Sequence, residues 1–317
     1  MFEPKVLSCL MDSLKKKTAY LVYLCLLLIM VEFSCEKKRG NAKEEAGKIN
    51  VTVSIVPHGM LVKKIGAGYV NVNILIPNGV NHETYEPSPK QFESLSNSGI
   101  YFLAGANHPF EKRWVEKFSR INPALKFVSL SEGVKLIKLT GHHSHEGEKD
   151  EKDKLNIDPH TWLSPLNLIE HIKVIKDTLK TIAPEHSAIF ETNGQLMIER
   201  MAKLDKELFE ILKASGGKKF ITFHPFWGYF AQRYNLQQLP VELEGKEPSG
   251  NYLTRIIEEA KKEGIKLVVS SPQFNRKSAE IIAKEISGHI CNVDPMSEEY
   301  EETLLNLARN ISEGEKK

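Results

Sequence analysis

Residues 184–224 read PEHSAIFETNGQLMIERMAKLDKELFEILKASGGKKFITFH. After Pro184, the apolar side chains Phe190, Met197, Met201, Leu204, Leu208 and Leu212 recur on one helical face until Gly216-Gly217 ends the pattern. The spacing predicts a helix of roughly 30 residues, about 45 Å long at 1.5 Å per residue. A helix that long is a strut between lobes rather than a unit within one. Directly after it, KKFITFH (218–224) reads as a strand, so a second sheet begins on the far side of the strut.

Before the strut, INVTVSIV (49–56) and VNVNILI (70–76) alternate apolar and polar residues, and IYFLAG (100–105) and LKFVSLS (125–131) are short apolar runs. Helix-length segments such as LVKKIGAGY and PFEKRWVEKFSRI separate them. After Pro165, Leu168, Ile172, Ile175, Leu179 and Ile182 form one stripe on a helix with an N-terminal proline. Beyond the strut the order restarts: LQQLPVEL (236–243), IKLVVSS (265–271) and HICNVD (289–294) read as strands, with helices at 250–263, 276–287 and 297–311. Strand–helix–strand order implies mainly parallel sheets flanked by helices. The expected fold is therefore α/β, with lobes at 49–183 and 214–317 joined by a backbone helix at 184–213.

The chain has 317 residues, 43 Lys+Arg and 41 Asp+Glu, a net charge of +2. Its composition excludes a disordered chain, collagen and a multi-span membrane protein. A near-neutral balance gives no reason to expect nucleic acid, which meets a strongly basic face. Of four cysteines, Cys9, Cys25 and Cys35 lie in the first 35 residues and only Cys291 in the body. That excludes an internal disulfide framework and a cysteine-based zinc site.

The N-terminus reads as an address. Lys15, Lys16 and Lys17 precede TAYLVYLCLLLIMV (18–31), an uncharged run short of the roughly 20 residues of a comfortable span. This is the pattern of a secretory signal. A small residue, Ser34, before Cys35 and then a polar tether (35–48) resembles a bacterial lipoprotein cleavage site, although Glu32 stands where that pattern wants an aliphatic residue. On that reading residues 1–34 are removed and Cys35 carries lipid; a plain signal peptide or an uncleaved anchor is the alternative. Either way the body is exported.

The histidines fall where strands end. His224 closes KKFITF; His82 lies in the loop PNGVNHETYEPSP; His160 sits in DPHTW before the Pro165 helix; Asp294 closes HICNV. Open α/β sheets bind ligands beyond the carboxyl ends of their strands. These four side chains come from both lobes, so they could meet only in the cleft between them. Three imidazoles and a carboxylate suit zinc in a tetrahedron at roughly 2.0–2.2 Å, whereas magnesium or calcium wants mostly oxygen. Any single histidine at a strand end is more often a loop or core group. The aromatic run Pro225-Phe226-Trp227-Gly228-Tyr229-Phe230 after His224 offers a wall that excludes water. His58 ends the strand VSIV and reads as a helix-entry residue, facing the cleft being the alternative; His108, His171, His186 and His289 read as structural, and Cys291 as buried in a strand.

NHETYEPSPKQFE, DPHTWLSP, FHPFWGYFAQRYNL, EPSGNYL and NVDP, in this order and spacing, resemble the metal-binding proteins of ABC importers for zinc and manganese, the zinc-uptake members above all. The resemblance covers nearly all of residues 50–312. It implies two α/β lobes bridged by one long helix. It implies ligands at His82, His160 and His224, with Asp294 or a water completing the site. A histidine at 224 matches zinc members, where manganese members usually carry Glu. Two departures stand out: Asn81 replaces the proline usual before the first ligand, and Ser270 or Ser271 replaces an acidic residue; both are expected to loosen the fine geometry. The loop GHHSHEGEKDEKDK (141–154), with His142, His143 and His145, resembles the His-rich acidic loops of zinc members; a solvated charged loop is the other reading.

The implied function is an extracytoplasmic receptor for Zn2+ (Mn2+ being the alternative cargo) that serves an ABC permease and its ATPase, works as a monomer, and is tethered through Cys35. No Gly-rich phosphate loop is present, so the chain is not the ATPase. Three rivals remain: a manganese or iron receptor, a surface adhesin, and a zinc hydrolase using a base such as Glu83 or Glu86.

Overall fold

The computed structural model describes residues 47–139, 156–242 and 248–313. The proposed signal and Cys35, the His-rich loop with His142, His143 and His145, and residues 243–247 lie outside the described residues.

The first lobe contains strands β1 (Ile49–Val53), β2 (Val70–Ile74), β3 (Ile100–Leu103) and β4 (Lys126–Ser129). All pair in parallel, in the order β2-β1-β3-β4. Helices α1 (Val56–Gly66), α2 (Pro89–Ser96) and α3 (Pro109–Ile121) cover the sheet. The alternation expected of a half-buried strand is not what β1 shows: Val51, Thr52 and Val53 are all fully buried. β1 is central and covered on both faces, which is how a parallel sheet hides its strands.

Helix α4 (Pro165–Ile182) ends the lobe, and α5 (Ser187–Leu212) is the strut. At 26 residues α5 is about 39 Å long. It is shorter than the sequence expectation because Pro184–His186 and Lys213–Ser215 at its ends are 3-10 turns. Phe190, Met197, Met201, Leu204, Leu208 and Leu212 are all buried, as their spacing required. So are Leu168, Ile172, Ile175 and Leu179 on α4, while Ile182 at its last turn is exposed.

The second lobe repeats the first. Strands β5 (Lys219–Thr222), β6 (Gln237–Pro240), β7 (Leu267–Ser270) and β8 (His289–Asn292) form a parallel sheet in the order β6-β5-β7-β8. Helices α6 (Gly228–Arg233), α7 (Gly250–Lys262), α8 (Arg276–Glu285) and α9 (Tyr300–Glu313) complete it. In each sheet the chain order reverses beside the first strand, β1 or β5, so each lobe has its ligand crevice at that strand's carboxyl end. No helix among the described residues is long and apolar enough to cross a membrane.

The larger apolar core does not stop at the lobe boundary. One cluster runs from Val51 and Phe102 of the first sheet through Ile172 and Leu204 of the paired helices to Val269, Val293 and Leu304. A smaller cluster, including Ile221, Ile256 and Ile282, lies under α7 and α8. Side-chain bonds stitch the lobes, among them Trp162 Nε1 donating to the Pro295 carbonyl at 2.9 Å, the Tyr300 hydroxyl donating to the Trp162 carbonyl at 2.7 Å and the Tyr229 hydroxyl donating to the Asp158 carbonyl at 3.1 Å.

Candidate metal centre

His82 is carried by the loop after β2. Asn81 folds that loop back on itself: its Oδ1 accepts from the Glu83 backbone N–H at 2.8 Å, and its carbonyl accepts from Tyr85 N at 3.1 Å. The Arg113 guanidinium donates to the carbonyls of Glu83 and Tyr85. The proline lost at position 81 is thus replaced by an Asx turn, a different route to the same rigidity. Behind His82 stands His108, ring centroids 5.3 Å apart. His108 follows three successive left-handed residues, Gly105, Ala106 and Asn107 (φ 76, 48 and 62°). That costly backbone is pinned by Glu111, whose carboxylate accepts from Ala104 N at 2.6 Å and Gly105 N at 3.0 Å. Burial pushes the Glu111 carboxyl up to about 7.

His160 sits between the Asp158 turn and the 3-10 turn Thr161–Leu163. Asp158 Oδ1 accepts from the His160 backbone N–H at 2.9 Å and faces His160 Nδ1 at 2.8 Å. Since that oxygen accepts from the backbone, the Nδ1 proton also goes to it, and the lone pair is left on Nε2. Burial pushes the Asp158 carboxyl up to about 8. His224 repeats the device in the second lobe: Nδ1 lies 2.8 Å from Glu242 Oε2. The Thr222 hydroxyl holds its carbonyl at 2.9 Å.

The three imidazoles therefore point Nε2 inward. His160 Nε2 is 3.3 Å from His82 Nε2 and 3.2 Å from His224 Nε2. All three residues are buried. Two lone-pair nitrogens at this separation repel one another, whereas a cation between them is attracted to both. Phe226 packs on all three rings at centroid distances of 5.2, 4.9 and 4.5 Å. Phe274 stacks on His224 at 5.2 Å, and Trp162 meets His160 at 5.3 Å. Burial first, and the neighbouring histidines second, hold His82 and His160 well below the usual imidazole range.

Asp294, the expected fourth ligand, does not join them. Among the described residues the imidazole group whose ligand atoms lie within 4.8 Å of one another is His82, His160 and His224 alone. The Asp294 carboxylate is turned to its own surroundings: Oδ1 accepts from Met296 N at 2.9 Å and from Gln273 Nε2 at 2.5 Å. It caps the turn after β8, as an aspartate beyond a strand end readily does. Ser270, one of the two serines at the place of the expected acid, donates to Asn292 Oδ1 at 3.2 Å.

Among the other histidines, His186 stacks on Tyr69 at 3.8 Å and His289 is exposed on β8. His58, His108 and His171 are fully buried. Cys291 is buried on β8, which pushes its thiol up to about 11. The sequence reading missed Asp158 and Glu242 as holders of the ligand imidazoles, and Phe274 as a wall. Asp158 was findable, two residues before a ligand in a proline turn. Glu242 was findable only once β6 was known to lie beside β5.

Two parallel-sheet lobes on a helical spine, with side chains from both lobes meeting at the carboxyl edges of the sheets, define a bilobal binding protein. The family model described as ZnuA, zinc-uptake complex component A, periplasmic, matches residues 51–314, and the chain belongs to this family. It is 27% identical over 308 residues to zinc-binding lipoprotein AdcA of Streptococcus pneumoniae (strain R6), covering 96% of this chain and 60% of that one. It is 27% identical to the high-affinity zinc uptake system protein ZnuA of Bacillus subtilis (strain 168), over 86% of each chain. A crystal structure of ZnuA superposes with a TM-score of 0.76 at 33% identity, covering 84% of this chain and 99% of that one. The chain thus spans about three-fifths of the length of the AdcA relative.

Proposed function

We propose that this protein is an extracytoplasmic zinc receptor. It captures Zn2+ between His82, His160 and His224 and hands it to an ABC-type permease driven by a cytoplasmic ATPase. The observation that carries the reading is the Nε2 geometry. Ligands at about 2.0–2.1 Å in a tetrahedron stand about 3.3 Å apart, and the two measured separations are 3.3 and 3.2 Å. The site needs no large rearrangement to take the ion. The fourth position falls to a water, or to Asp294 once it leaves Gln273 and Met296 N.

An all-nitrogen set supports zinc over manganese, which favours oxygen. The names of the relatives support the same cargo. A hydrolytic role finds less support: of the carboxylates beside the imidazoles, Asp158 and Glu242 are occupied in holding Nδ1 atoms, which leaves Glu83 as the base to test. Anchoring through lipidated Cys35 and action as a monomer complete the proposal.

The test is calorimetry and metal analysis of untagged, metal-stripped protein. One Zn2+ per chain, held far more tightly than Mn2+, is expected. A protein that takes up no transition metal, or prefers manganese, overturns the reading. If instead host-ligand binding survives in the His82→Ala, His224→Ala variant while no metal phenotype is seen, adhesion is the better account.

A further inference from the structure

The imidazole of His224 has two sides. Its Nε2 faces His160, and its Nδ1 faces Glu242. A second set of ligand atoms shares this residue: Glu83, His224 and Glu242 each offer one within 4.8 Å of the others, and Glu242 is the member that meets Nδ1. Glu242 and His224 are buried, while Glu83 is partly exposed. Glu83 is thus the one member of the two sets that reaches solvent, since His82, His160, His224 and Glu242 are all buried.

Glu83 and Glu242 bring two carboxylates into this second set. Among the described residues no Lys or Arg nitrogen lies within salt-bridge distance of either carboxylate, and the one ionic partner of Glu242 is His224 itself. The Arg113 guanidinium donates to the Glu83 and Tyr85 carbonyls. Two like charges brought together in a partly desolvated corner cost free energy unless a cation joins them.

We propose that Glu83, Glu242 and the Nδ1 side of His224 form an outer, transient site for a divalent cation, from which the ion passes to the three Nε2 atoms. This rests on the reading of the inner centre given above. Two carboxylates and one imidazole bind a hydrated borderline cation more loosely than three imidazoles, and carboxylates at a mouth raise the local cation concentration and the on-rate. Glu83 is next in sequence to His82, so one rigid loop presents a ligand to each site. The neutral His224 ring has one proton. With the ion outside, the proton sits on Nε2; with the ion inside, it sits on Nδ1 and is donated to Glu242. The two sites are therefore filled one at a time.

The test uses zinc alone and metal-stripped protein, with Trp162 fluorescence followed in a stopped-flow instrument. Glu83→Gln is expected to slow association at least fivefold at low ionic strength. In His160→Ala, folded by circular dichroism, one weaker zinc equivalent is expected by calorimetry, and it disappears in His160→Ala, Glu83→Gln. Association by Glu83→Gln within twofold of the wild type overturns the proposal. So does the absence of the weaker equivalent in His160→Ala, or its survival in the double variant. A wild-type protein that binds no zinc tightly instead overturns the inner centre, which separates the two failures.

Discussion

Gly228 lies so close to Asp158 that a methyl group on its α-carbon would come within 2.1 Å of Asp158 Oδ2. The glycine of the aromatic run thereby leaves room for the carboxylate that orients His160. Gly228→Ala is expected to push Asp158 away and lower zinc affinity about 10- to 100-fold, the range for losing a partner behind a metal-binding histidine. Calorimetry checks this, with circular dichroism showing the fold retained. Unchanged affinity would mean that Asp158 does not set the imidazole.

Asp294 and the histidines should separate on substitution. Because the Asp294 carboxylate is held by Met296 N and Gln273, Asp294→Ala is expected to weaken zinc binding by less than about tenfold. His160→Ala is expected to cost more than about 100-fold, since it removes a nitrogen in direct reach of the ion. A chelator competition assay gives both numbers. An equal loss in the two variants would put the carboxylate on the ion.

Zinc binding should resist mild acid. Protons compete for the same Nε2 lone pairs as the metal, and burial holds His82 and His160 well below the usual imidazole value of 6.5. Affinity is expected to stay nearly flat from about pH 7.5 to about pH 6 and to fall only further down, where a solvent-exposed imidazole would already have lost the ion. Apparent Kd measured across pH 4–8 decides it. A tenfold drop per pH unit beginning at about 6.5 would contradict the burial argument.

The metal-free fold should be acid-sensitive over a defined window. Burial lowers His108 and His171 to about 3 in the folded chain, while in the unfolded chain they titrate at about 6.5. Between these values the unfolded chain binds more protons, so stability rises with pH. It is present in full above about 6.5 and is lost progressively as pH falls toward about 3. Melting temperature against pH should show that slope, and His171→Leu should flatten it. An unchanged slope in the variant would place the acid sensitivity elsewhere.

The bonds across the lobes should register as stability. Tyr300→Phe removes the donor to the buried Trp162 carbonyl and is expected to cost about 0.5–1.5 kcal/mol, more if that carbonyl stays dry. Denaturant titration measures it. No loss would show that water replaces the hydroxyl.

Most of the architecture was legible because each element carried its own period. The α5 stripe from Phe190 to Leu212 is buried at every position read from spacing, and proline marks the true start of α4 at Pro165. The strands came out shorter than their apolar runs, since residues such as Ser54 and Phe223 continue the pattern after the ladder stops. The fold brings together three of the four candidate residues, His82, His160 and His224, and sequence pointed to them because each of these histidines sits in a loop beside a strand end or a helix start. Asp294 stands apart from the three imidazoles for a physical reason. An aspartate beyond a strand is suited both to a cation and to a backbone turn, and sequence does not record which donors reach it first. Glu242 and Phe274 were hidden because their nearness to His224 is created by β6 and by the segment after β7, not by chain distance.

The shared core has a mechanical meaning. A clamshell needs a seam along which its halves part, and here apolar side chains from β1 to α9 fill the place where the seam would run. Prising the halves apart would wet that interior, so the body acts as a stiff frame. For the receptor proposed above, loading and unloading would then fall to the short segments that hold the imidazoles rather than to the frame.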